Sequence, residues 1–251
     1  MKTRFKKPLI FTLILLPVCI IGVYYAVLMS VSTIESSFLE EAIAQVGSRE
    51  LVIVLSTIQP VILACLCAFF GYILSEKIGL MRPLRLETKP LLCTLAVSLI
   101  GGAVFSLDAW TFAKWIPQVG YEGAGSFDLT TWLASILYGG VIEEVMMRLF
   151  LMSLLVFLAR KIFFRNEQTT PRGVLIGANV AAALVFAALH IPATVMTFGA
   201  FTPLMALRCF LLNGAFGLIF GWLYRKHGIQ YAMISHALFH IVSRTIWLIA
   251  F

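Results

Sequence analysis

Gly139-Gly140-Val141-Ile142-Glu143-Glu144-Val145-Met146-Met147-Arg148 is the stretch whose reading decides the fold. It sets two adjacent carboxylates and an arginine inside an apolar run from Leu129 to Leu158. A charge at the centre of a membrane helix costs roughly 2.5–3.5 kcal/mol on insertion scales, so one that persists is paired or used. Glu144 and Arg148 stand four residues apart, one helical turn, and can neutralise each other. Glu143 projects about 100° around an α-helix from Glu144. Its neighbours one turn away are Gly139 and Met147, and neither can pair with it. The partner of Glu143 must come from elsewhere in the chain.

The surroundings of this stretch are those of a membrane protein. Hydrophobic residues make up 61% of the 251 and charged residues 12%, with a mean hydropathy of +0.97. Soluble domains average about 25% charged. The net charge of +7 does not point to nucleic acid, because the basic residues sit between apolar runs rather than on one face. The five cysteines, Cys19, Cys65, Cys67, Cys93 and Cys209, all fall in apolar segments without a zinc-type CxxC pair, and read as small buried hydrophobes.

The expected fold is all-α, a polytopic bundle of about seven to eight helices. Apolar runs predict spans over 8–30, 51–74, 90–107, 129–161, 173–190, 203–224 and 229–250, each of about membrane length. The first is too long for a signal-peptide core of about 7–15 residues and lacks a clear cleavage site. Residues 35–50 are acidic and partly helical, and 193–201 are too short to span after Pro192. Residues 108–128, with Trp110, Trp115 and Tyr121, read as an interfacial loop. Two parts are expected, 1–127 and a core over 128–251. Fourteen basic residues fall in the segments on one side of this layout and two, Arg49 and Lys114, on the other. That asymmetry predicts a cytoplasmic N-terminus. Arg148, Arg208 and Arg244 lie inside helices, the last two snorkelling or paired.

Three histidines are candidates to meet Glu143. His190 ends the fifth span in Phe186-Ala187-Ala188-Leu189-His190. His236 and His240, on the seventh, are four apart, so both rings project from one face and can grip one metal ion or present two donors to one oxygen. At ~1.5 Å per residue, Glu143 and His236 fall near mid-bilayer, whereas His190, ~27 Å from Arg172, falls towards the outer side. A single histidine at a helix end is more often a hydrogen-bonded interface residue, and His227, in a basic turn, reads as solvated. Gly217-x-x-x-Gly221 reads as a close helix contact. Taken together, Glu143, His190, His236 and His240 would need four unrelated excuses if they did not meet.

Glu-Glu-x-x-x-Arg, then Phe-x-x-x-His, then a helix with His-x-x-x-His, resembles the CPBP or Abi family of CAAX prenyl proteases and bacteriocin-processing enzymes, Rce1-type proteases among them. The resemblance covers about 128–245. It implies an intramembrane endopeptidase whose helices enclose a polar, water-filled chamber. Glu143 would be the base that activates water, and His190 would help hold that water. His236 and the residue four later would stabilise the oxyanion, with Glu144 and Arg148 supporting the helix. The chain departs from the family in one place: His240 stands where asparagine is common. Asparagine is a poor zinc ligand, whereas histidine suits a metal or an oxyanion. A divalent metal such as zinc on His190, His236 and His240 is therefore open, as in a metalloprotease, although metal-free, glutamate-dependent chemistry is the favoured reading. The implied substrate is a peptide or protein C-terminus, cut CAAX-fashion or in a bacteriocin-processing or immunity role, at a bilayer that the compact chain suggests is a bacterial plasma membrane. The competing readings are a non-catalytic immunity or scaffold protein and a proton-coupled transporter. No two-halves repeat supports the latter.

Overall fold

The computed structural model describes residues 5–33, 36–116, 125–167, 169–198 and 201–251. Among these every regular element is helical. We number the helices in chain order: α1 Lys6–Thr33, α2 Ser36–Val46, α3 Arg49–Lys77 and α4 Thr88–Ser106. Two short 3₁₀ turns, Leu107–Trp110 and Phe112–Lys114, follow α4. A single long helix, α5, covers 129–163. It is succeeded by α6 Arg172–Leu189, α7 Ile191–Phe198, α8 over 203–227 and α9 Ile229–Ala250.

Among the described residues, six helical segments are long and apolar enough to cross a membrane, and they correspond to six of the seven expected spans. The remaining expected span, the fourth, is α5, and it is interrupted. It begins as an α-helix capped by Asp128, whose carboxylate accepts from the Thr130 and Thr131 amides at 3.1 and 2.9 Å. It then passes through π-helical turns over Ala134–Glu143 and Val145–Met152 before resuming α geometry at Ser153–Phe163. Such wide turns are uncommon and concentrate at functional sites. The acidic segment is helical as expected, in α2. Of the expected interfacial loop, 117–124 and with it Tyr121 lie outside the described residues.

The helix α5 is the axis of the bundle, packed against α1, α3, α6 and α9. Ile142, Val145, Leu149, Met152 and Val156 are fully buried along it. Without lipid-excluded water to drive helices together, close backbone approach carries the packing, and small residues mark the crossings. Gly140 marks one of them: a Cβ there would lie 2.7 Å from the Ala237 backbone of α9. The expected Gly217/Gly221 contact is present, with Gly217 against Ala183 of α6 and Gly221 against the Asn179 side chain.

Candidate active site

The two glutamates of α5 face different surroundings. Glu144 is wholly buried; its Oε1 lies 3.0 Å from Arg148 Nη1 and 2.9 Å from His236 Nδ1. Arg148 donates to the Gly217 carbonyl at 3.0 Å, and its guanidinium lies over the Phe186 and Phe220 rings at 4.7 and 5.7 Å. The expected pair is thus formed, and it reaches further than support of its own helix. Because a carboxylate only accepts, His236 carries its proton on Nδ1 and turns Nε2 inward. The ring is held flat on Phe220, centroids 4.3 Å apart.

Glu143 keeps part of its side chain accessible, 18%, and lines a cavity of about 150 Å³. His190, His236 and His240 line the same cavity, so the four residues expected to meet do meet. His190 Nε2 stands 4.0 Å from Glu143 Oε1. Its Nδ1 is 2.8 Å from the Phe186 carbonyl, which can only accept, so Nδ1 carries a proton and, in the neutral ring, Nε2 is the acceptor. His240 Nε2 lies 3.1 Å from His236 Nε2, the rings stacked at 4.8 Å.

Local sequence explains these positions. His190 caps the C-terminal end of α6, where the chain turns into α7 with Pro192 in its first turn, and its ring comes to face Glu143. Gly139 leaves room for His240: a Cβ at 139 would lie 2.9 Å from His240 Nε2. In π turns, which close i→i+5, residues five apart share a face. Tyr138 and Glu143 both line the cavity on that spacing. Neither charge nor α spacing in the sequence marks Tyr138 or Asn213 of α8, another lining residue.

Two further cavities adjoin this one. A largely apolar space of about 390 Å³ shares Glu143 and His190 and extends along Val23 and Val27 of α1 to Pro60 of α3. Another, about 270 Å³, shares His190 and His240 and reaches Arg208 and Asn213. Arg208 and Arg244 are engaged rather than snorkelling. Arg208 forks onto buried Asp108 with contacts of 3.0 Å, and Arg244 donates to Ser135 Oγ at 2.9 Å. His227 is not solvated as expected; it is half-buried between the edges of Trp222 and Tyr231. Among the described residues no three His, Cys, Asp or Glu side chains form a group placed to hold a metal ion.

Residues 125–242 match the Rce1-like family, the type II CAAX prenyl endopeptidases. The segment is similar to that family. It takes in just under half of the chain and contains every residue of the cavity quartet. No curated protein and no solved structure matches the chain. Among the described residues, six helices long and apolar enough to cross a membrane accompany this match.

Proposed function

We propose that this protein is a metal-independent intramembrane endopeptidase in which Glu143 activates the hydrolytic water. The observation that carries the reading is the facing of Glu143 Oε1 and His190 Nε2 across 4.0 Å. That gap is too long for a direct hydrogen bond and suits one bridging water. Both flanking groups accept, since His190 has its proton committed to the Phe186 carbonyl. A water between them donates both hydrogens outward and keeps a lone pair for attack. As its oxygen bonds to the scissile carbonyl carbon, one proton passes to Glu143, which later returns it to the departing amine nitrogen.

The developing oxyanion needs a donor on the opposite wall. The facing Nε2 atoms of His236 and His240 hold a ring N–H between them. Turning that N–H onto the oxyanion is the role we assign to the pair, with Glu144 and Arg148 fixing His236. The apolar extension along α1 suits a hydrophobic peptide or protein C-terminus entering from the bilayer. We place the N-terminus on the cytoplasmic side of the membrane, on the distribution of basic residues.

The test compares peptide released from native membranes by wild type and by Glu143→Gln. The variant should insert and fold normally and release nothing above background. Near-normal release would remove Glu143 from the role of base.

A further inference from the structure

A second polar pocket lies at the N-terminal end of α9, about three turns from His240. It forms where the α3–α4 connection meets the α8–α9 turn and encloses about 150 Å³. Arg82, Arg85 and Lys226 line it, with Glu87 as the one carboxylate, so it carries an excess of positive charge. Glu87 accepts from Arg85 Nε at 2.9 Å, which leaves Arg82 and Lys226 as the charge it does not balance. Lys226 Nζ is poised 4.9 Å over the Trp222 ring.

The pocket is built rather than merely rimmed by side chains. Gln230 Nε2 donates to the Pro83 and Arg85 carbonyls at 3.0 and 3.2 Å, and Tyr231 Oη lies 2.7 Å from the Glu87 amide, so α9 pins the connection in place. Gly228 takes a φ of +115°, and a Cβ there would lie 3.3 Å from Arg82 and 2.7 Å from Gln230, so the turn can close only with glycine. His227 also lines the pocket, and its buried Nε2 has no hydrogen-bond partner.

We propose that this pocket binds a phosphate-bearing anion, supplied by the headgroup of an anionic lipid. Two uncompensated cations and an unpartnered ring nitrogen suit a phosphate. The pocket also lies among the basic residues clustered at one end of the helices, where the positive-inside count puts the inner leaflet. The inference is independent of the endopeptidase reading, since neither pocket shares a residue with the other.

The test uses full-length protein in uncharged detergent. Native mass spectrometry compares phosphatidylglycerol with phosphatidylcholine retained by wild type, Arg82→Gln/Lys226→Gln and the charge-preserving Arg82→Lys/Lys226→Arg. Wild type should prefer phosphatidylglycerol. The neutral pair should lose that preference by roughly 30-fold, about fivefold per cation, and the charge-preserving pair should keep it. In a parallel arm, inorganic phosphate is titrated in a thermal-unfolding assay. A stabilisation that depends on Arg82 and Lys226 would show that free phosphate is bound by the same chemistry. Equal retention of the two lipids by wild type, with no phosphate effect, overturns the proposal. So does a preference that survives in Arg82→Gln/Lys226→Gln.

Discussion

His236 Nδ1 donates to Glu144 Oε1 across 2.9 Å, joining α9 to the centre of α5 where both side chains are buried. The same oxygen lies 3.0 Å from Arg148 Nη1, so one carboxylate holds a cation of its own helix and a ring of another. Glu144 therefore acts on His236 as well as on its own helix.

Glu144→Gln should leave Arg148 as an uncompensated buried charge, a loss of about 3–5 kcal/mol. Thermal unfolding in detergent checks this. Adding Arg148→Met should recover much of the stability, because an apolar replacement of a buried pair is often neutral. Peptide release should stay low in the double variant, since His236 still lacks its carboxylate. Recovery of both together would make Glu144 purely structural.

Gly139 and Gly140 should respond differently to alanine. At 139 the new methyl meets the end of the His240 ring, so release should fall steeply with little change in unfolding temperature. At 140 it meets the Ala237 backbone, and forcing the helices apart should cost about 1–3 kcal/mol. Equal stability losses at both positions would contradict the packing described above.

His240→Asn restores the residue common in the resembling family and keeps a side-chain donor; it should retain most activity. His240→Ala should lose about 10²-fold or more in turnover, the usual loss for one oxyanion donor. Exhaustive chelation should leave wild-type turnover unchanged. Activity lost on chelation and restored by zinc would overturn the metal-independent proposal.

Asp128 ties the stability of α5 to pH. The Thr131 side chain, then the Thr131 amide, hold its carboxyl below the ordinary carboxylate value. The folded pKa is depressed, so the stabilisation is fully present above the unfolded value of about 3.9 and is lost as pH falls through the folded one. Asp128→Ala should cost about 1 kcal/mol near neutrality and nothing at the acid end. Unfolding temperatures recorded across the acid range, wild type against variant, should converge at the low end.

The four residues of the candidate site were legible because polar groups in an apolar chain are few and costly, so each draws attention. Spacing also put His236 and His240 on one face. Three features were hidden. The π turns of α5, which bring Tyr138 and Glu143 onto one wall, do not follow from local pattern, since Ala134–Glu143 reads equally well as an α-helix. Asp108 and Arg208 are a hundred residues apart, and nothing local to either names the other. His227 looks like a residue of a basic turn until Trp222 and Tyr231 are seen beside it.

Hydropathy and charge spacing alone determined that this chain is a helical membrane bundle with a glutamate in need of a distant partner, because burying an ion in hydrocarbon is expensive wherever it occurs. Only the tertiary structure decided which distant group each carboxylate meets, His190 across the cavity for Glu143 and His236 behind it for Glu144. That assignment depends on the turn of α5, on the room left by Gly139 and on the histidine that packing delivers to each, none of which a linear pattern records.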